Sequence, residues 1–399
     1  MDRARTRGQA VALRAIAGMI RGPAPHAVLL VGPDGVGKTT LALDLAAGLL
    51  CTAAPGDRPC RECRACRLVD GGGHADLHRL GPVGPGRQVV IGGSEAKYRG
   101  VRDLIGELAL MPAEGGRRVA IIKGAERMNE DAQSALLKTL EEPPAGVTII
   151  LCADGEAHLL PTVRSRCFRI RLGLVGPRDI EAIIADHGLA DPPTAARLGR
   201  LAGGRPGLAL AYARAPEAVL IRAELTRVLL DLTDARPSVR LAAARATVPR
   251  ALALSAALTS ADPAASAARP TRRRGAPIPQ PGDPPPERAE DDPAGMTDEP
   301  ITARSVPASD RRRAVEVLLG LWTDVARDLV LVGSGGSQSV HDTVLLEELS
   351  AIARSLEPGH ATAFLERSAR AAEWLAGNVS PELILDLLVL AWPRRRAAA

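Results

Sequence analysis

An α/β domain with a parallel sheet, followed by all-helical units, is the fold predicted by three features of the 399-residue sequence. The first is a glycine loop, GPDGVGKTT at 32–40, fed by the apolar run HAVLLVG at 26–32. The second is the alternation of short strand-like runs, RVAIIK at 118–123, VTIILC at 147–152 and CFRIRL at 167–172, with segments of helical spacing. The third is composition. Hydrophobic residues reach 46% but aromatics only 2%, so the cores are built from Leu, Ala, Val and Ile, which suit helices and buried parallel strands. At roughly 150 residues per domain, the length predicts two or three domains.

The elements follow in order. QAVALRAIAGMIR, 9–21, has helical spacing of apolar positions and stops before Pro23 and Pro25. The strand at 26–32 enters the glycine loop directly, and TTLALDLAAGLL, 39–50, reads as the helix after it. SEAKYRGVRDLIGELAL, 94–110, reads as a helix leading to the strand at 118–123, and EDAQSALLKTLEE, 130–142, as one ended by Pro143 and Pro144. Strands separated by helices imply a parallel sheet covered on both faces. Beyond Leu172 the strand signal ends, and IEAIIADHGL, PTAARLGRLA and PGLALAYARA read as three short helices of a small unit over 173–235. Residues 236–399 return to amphipathic helical patterns, interrupted at about 261–310 by eleven of the 32 prolines. That stretch holds too few large apolar groups to offset ordering entropy and is expected to be disordered. The first twenty residues carry Arg3, Arg5, Arg7 and Arg14 without an apolar signal core, and uncharged apolar runs fall short of the ~18 residues of a membrane span, so a cytoplasmic protein without a membrane partner is expected. A net charge of +5 suits nearby nucleic acid and ordinary solubility equally.

Two constellations carry chemistry. Gly32, Gly35, Val36, Gly37, Lys38, Thr39 and Thr40 satisfy G-x-x-x-x-G-K-[ST], in which main-chain N–H groups turn around phosphate oxygens at a helix N-terminus. Lys38 would neutralise the β/γ phosphates of ATP or ADP, and Thr39 would give its hydroxyl to Mg2+. Cys51, Cys60, Cys63 and Cys66 are spaced C-x8-C-x2-C-x2-C, and four thiolates surround Zn2+ with no position left for a substrate, which marks a structural site. Arg58, Arg61, Arg64 and Arg67 lie between them to offset the charge, and His74 or His78 could replace one ligand. Cys152 and Cys167 are expected in the core.

These motifs, with SALLKTLEEPP at 134–144 and SRC at 165–167, resemble the bacterial clamp-loader AAA+ family of the replicative DNA polymerase III, including the zinc module inserted after the phosphate-loop helix. The resemblance runs motif by motif over residues 8–215 and beyond them only by domain order. It implies an AAA+ domain at 1–172 with a zinc module at about 51–66, a helical lid at 173–235 and a helical collar at 236–399. It also implies assembly with gamma/tau and delta subunits to load the sliding clamp on primed DNA.

One departure decides the expected activity. Gamma/tau members carry an acidic pair where RVAIIKGAERM, 118–128, has Lys123 and Gly124. Hydrolysis needs a carboxylate near Mg2+ and a base to orient water, and an ammonium does neither. Glu126 lies three residues on, beyond the expected strand end. The departure resembles the family's stator-type members with degraded ATPase motifs, whose turnover is absent or weak. The alternative is an active ATPase subunit of the gamma/tau type. A zinc-dependent nucleic-acid reader is a third reading, for which only Tyr98 offers a stacking group near the cysteines. In the family the SRC arginine reaches a neighbour's γ-phosphate, so Arg166 is the candidate finger in trans, with Arg164 as substitute and local pairing to Glu141 or Glu142 as the alternative. GGRPGLA, 203–209, resembles the family's sensor segment, but Pro206 stands at the usual arginine and Arg205 is displaced by one; Pro206 reads as a helix start.

Overall fold

The structure, a computed structural model, describes residues 3–84, 87–93, 96–114, 116–261, 307–377 and 379–396. Among these, β1 (Ala27–Val31), β2 (Leu77–Leu80), β3 (Arg118–Lys123), β4 (Val147–Ala153) and β5 (Phe168–Arg171) pair in parallel in the order β2-β3-β4-β1-β5. Side chains alternate between the faces of a strand, and both faces are apolar here. Val28 and Leu30 of β1, with Val119, Ile121 and Ile150, pack beneath α1 (Ala10–Arg21) and α2 (Lys38–Leu50). Ala27 and Leu29, with Ala120, Ile122, Ile149 and Leu151, pack beneath α4 (Val101–Leu108) and α5 (Glu130–Glu141). Double-sided burial explains why the central strands read as unbroken apolar runs.

Between α2 and β2 lies α3 (Arg64–Gly71), and α6 (Pro161–Ser165) precedes β5. Two elements differ from the sequence expectation. The helix expected at 94–110, whose first two positions lie outside the described residues, forms among the described ones only over Val101–Leu108, because Gly100 is extended and the chain there bonds sideways. The N–H of Val101 donates to the Val90 carbonyl at 3.0 Å and that of Arg102 to Ile91 at 2.8 Å. Asp103 then fastens the turn by accepting from the N–H groups of Gly100 and Gly93. The edge strand β2 was not expected at all: LHRL carries His78 and Arg79 in its middle, and its pairing partner β3 lies some forty residues away. Beside it, Glu107 accepts from Arg99 and His78. Burial alone would push its carboxyl up, but these hydrogen bonds bring it down to about 2.

The chain divides into two compact units, Met1–Ala213 with His341–Thr343 and Arg214–Val340 with Val344–Ala399. The first holds the sheet domain and three short helices, α7 (Pro177–Asp186), α8 (Pro192–Leu201) and α9 (Pro206–Arg214), each opened by proline at its first turn. The second is helical: α10 (Pro216–Asp231), α11 (Pro237–Ala246), α12 (Val248–Ser260), α13 (Ala308–Gly333), α14 (Leu346–Ser355), α15 (His360–Ala376) and α16 (Pro381–Ala391). The helix α10 packs with α12 and α13, so the second unit takes it in, although the lid reading ran to 235. The insert expected at 261–310 lies, over 262–306, outside the described residues.

Trp322, Trp392 and Phe364 form the second core, with the Phe364 and Trp392 rings edge to face at 4.8 Å. Pro237–Ser260 is long and apolar enough by composition to cross a membrane. It nevertheless meets in a break at Thr247 and carries Arg240, which is fully buried and donates to the carbonyls of Ala235, Thr233 and Trp392. Those bonds belong to a packed helical bundle. A parallel sheet, a cysteine module inserted after its phosphate-loop helix and a helical C-terminal region make up the AAA+ architecture that the resemblance implies.

Candidate nucleotide site and metal centre

The phosphate loop leaves β1 at Val31 and becomes helix at Lys38. Its glycines are required by geometry at two points. Gly37 has φ +101 where it caps α2, and a Cβ on Gly32 would sit 2.3 Å from the Leu172 carbonyl oxygen. Thr39 and Thr40 fall in the first turn of α2, where orphan N–H groups and the helix dipole favour an anion. Lys38 is only 8% exposed, and its ammonium donates to the carbonyls of Gly32 at 2.7 Å and Pro33 at 2.8 Å. Its third bond goes to the Asp154 carboxylate, 2.7 Å away. From the lid side, the Gly207 N–H in the first turn of α9 donates to the Gly35 carbonyl at 2.8 Å. Pro206 indeed starts that helix, and Arg205 folds back so that its Nε donates to Ala202.

At the ends of β3 and β4 the arrangement is richer than the sequence suggested. Lys123 closes β3 opposite Cys152 of β4, and Gly124 turns the chain with φ +61. The turn brings Glu126 back, so that its carboxylate accepts from the Asp154 N–H at 3.2 Å. Glu126, placed beyond the strand by the sequence reading, is thus one residue-contact away from Lys38. Burial, and then the charge of Asp154, push its carboxyl up. Lys38, Lys123, Glu126 and Asp154 all lie close enough to act on the buried Cys152 thiol, which burial pushes up to about 12. Two cations and two carboxylates therefore gather around Cys152 at the carboxyl ends of β3 and β4. Asp154 escaped the sequence reading. It is the first polar residue after the wholly buried β4, and polar groups at the carboxyl ends of parallel strands are those that meet ligands.

The four cysteines converge. Cys51 follows α2, Cys63 caps α3, and all four ligand atoms lie within 4.8 Å of one another. Four sulfurs at about 2.3 Å from one tetrahedral ion lie about 3.8 Å apart. The Cys51–Cys60 and Cys51–Cys63 sulfur separations are 3.5 and 3.8 Å, right for an ion and too long for a disulfide. The N–H of Cys63 donates to the Cys60 sulfur at 3.3 Å and that of Cys66 to the Cys63 sulfur at 3.4 Å, bonds that favour thiolate. Burial opposes this at Cys63, yet the N–H groups of Cys66 and Thr52 bring its thiol down to about 6. The donor set fits a closed tetrahedral metal site. The arginines act differently from the expectation. Arg61 binds Asp70 and the fully buried Asp44, and Arg64 binds Glu114, so they fasten the module to the domain while main-chain N–H groups meet the sulfurs. His74 accepts from the Asp76 N–H and His78 pairs with Glu107; neither joins the cysteine cluster.

Arg166 ends α6 and is placed 2.5 Å from Glu141 Oε1, with a second bond to the Thr162 carbonyl. Its side chain remains 34% exposed. Arg164 sits half-buried on the same short helix.

Residues 10–175 match the family described as "DNA polymerase III, delta subunit". The chain is 38% identical over 183 residues to "DNA polymerase III subunit delta'" of Pseudomonas aeruginosa, covering 45% of this chain and 53% of that one. It is 34% identical over 196 residues to "DNA polymerase III subunit tau" of Salmonella typhimurium, covering 48% and 29%. The match thus spans about half the length of the first relative and under a third of the second. A solved gamma-subunit-related protein of Thermotoga maritima aligns with 95% of this chain and 97% of its own at 16% identity and a TM-score of 0.38. With its phosphate loop and its cysteine module, the chain is similar, over residues 10–175 by the family match, to clamp-loader subunits of DNA polymerase III.

Proposed function

We propose that this chain is the delta-prime-type subunit of a DNA polymerase III clamp loader, a cytoplasmic stator that assembles with gamma/tau and delta subunits to load the sliding clamp on primed DNA. The observation that carries the reading is Lys123 followed by Gly124 at the end of β3, beside an otherwise complete phosphate loop. Such a site can hold ATP or ADP with Mg2+ through Gly32, Gly35, Val36, Gly37, Lys38, Thr39 and Thr40, while the end of β3 offers no carboxylate to the metal and the nearby Glu126 and Asp154 are tied to each other and to Lys38. Arg166 then serves a neighbour's nucleotide in trans. Zn2+ held by Cys51, Cys60, Cys63 and Cys66 supplies rigidity only, since no coordination position is left for chemistry. The domain reading proposed here is an AAA+ domain over 1–172, a lid over 173–235 and a collar over 236–399, with α10 packed on collar helices α12 and α13. In support of the collar, α16 leaves Leu383, Leu387 and Leu390 exposed by 65, 40 and 39% on one helical face, an unspent apolar stripe of the kind that meets another helix.

Glu126 and Asp154, gathered beside Lys38, favour one second reading: an active ATPase subunit of the gamma/tau type. Assembly separates the family role from an unrelated one. Co-expressed with gamma/tau and delta subunits, the chain is expected to elute with them as one complex that stimulates clamp loading on primed DNA. Elution by itself would contradict the proposal.

A further inference from the structure

Lys38 has three N–H donors, and each has an acceptor inside the protein: two loop carbonyls and Asp154. The first two shape the loop. The third is different in kind, because it places an anion on the ammonium that a phosphate loop reserves for its ligand. Asp154 is also held where it stands: its N–H is bonded to Glu126, whose side chain is only 13% exposed, and its carboxylate is 44% exposed at the mouth of the loop.

We propose that Asp154 is an internal competitor for nucleotide phosphate, a specificity-determining carboxylate that keeps Lys38 engaged and sets the affinity of this loop. The proposal rests on the reading of the loop as a nucleotide cradle. A triphosphate or diphosphate entering the cradle must take Lys38 from Asp154 and then lie against the displaced carboxylate, so both the broken ion pair and the like-charge contact count against it. Lys123 does not cancel this, since the adjoining Glu126 adds a second negative charge to the same side. The same position admits an opposite role, in which Asp154 turns to a nucleotide-bound magnesium and strengthens binding. The two roles predict opposite signs.

The test is titration of the full chain with a fluorescent ADP analogue, with and without magnesium, for wild type, Asp154→Asn, Lys38→Met and the double variant. Asp154→Asn keeps the shape and removes the charge. It is expected to bind about ten-fold more tightly than wild type, with the gain erased in the double variant. Asp154→Ser, which cannot reproduce the amide's hydrogen bonds, is expected to tighten binding as well and guards against a fold defect confined to one variant. Equal or weaker binding by both Asp154 variants, with binding still lost in Lys38→Met, overturns the competitor and leaves the cradle. Binding that Lys38→Met does not change in either background overturns the cradle itself and the competitor with it, as does the absence of binding by every variant.

Discussion

Arg166→Ala is expected to leave the chain folded and able to assemble, yet, as the proposed finger, to lower ATP turnover about 10³-fold at a neighbouring subunit's site. In the chain by itself Arg166 pairs with Glu141, which is the local alternative weighed from the sequence. That pair is partly exposed, 34% on one side and 49% on the other, so it is worth at most about 1 kcal/mol. An arginine that stabilises transferring phosphoryl charge contributes 10³ to 10⁵ in rate, or about 4 kcal/mol and more. If Arg166 is the finger, giving up Glu141 for the charge that develops on a neighbour's γ-phosphate in the transition state costs far less than it gains. Its position at the end of the short helix α6, one residue from β5, fixes the main chain while leaving the side chain room to swing. Arg166→Lys is expected to restore little, because a point ammonium does not reproduce a planar fork. DNA-stimulated ATPase of the reconstituted loader is the measurement, with gel filtration to verify assembly. Unchanged turnover in an intact complex would remove the finger.

Loss of the metal is the second large effect. Chelation, or Cys63→Ser, is expected to release one zinc per chain and to destabilise the first unit by about 3 kcal/mol or more, since binding energy at a structural site is folding energy. The damage should spread beyond the loop. Asp44 on α2 is fully buried and accepts from Arg61, from the Thr6 hydroxyl at 2.6 Å and from the Thr6 N–H at 2.9 Å. When the cysteine loop loosens, Arg61 leaves, and a buried carboxylate loses its charged partner. Cys152→Ser is the control. Its thiol is buried in β4 outside the cluster, so that variant should keep its zinc. Metal analysis and thermal melting read both outcomes; a Cys63→Ser chain that retains zinc, or a zinc-free chain that melts at the wild-type temperature, would contradict the assignment.

Much of this was legible in the residues. The central strands announced themselves because both of their faces are buried, so their runs are uninterrupted. The phosphate loop and the cysteine spacing were legible because their chemistry is local, residing in glycines that must turn and thiols two residues apart. What stayed hidden depends on distance in sequence. β2 owes its pairing to β3, and α4 begins late because Val90 and Ile91 compete for the N–H groups of Val101 and Arg102. Asp154 gains meaning only when β4 lies beside β1 and sets it against Lys38, more than a hundred residues earlier. Glu126 is the same lesson at short range: Gly124, left-handed, folds back a side chain that a straight strand would have carried away.

At the end of β3 a cation, Lys123, stands where the gamma/tau members it resembles carry an acid, and this chain is expected to turn over no ATP of its own. Steady-state hydrolysis by the purified full chain, beside Lys38→Ala under saturating ATP and Mg2+, tests it most directly. Two equal rates at the background of the assay are expected. A clear wild-type rate that Lys38→Ala abolishes would show that Glu126 and Asp154 serve as the acids after all, and would contradict it.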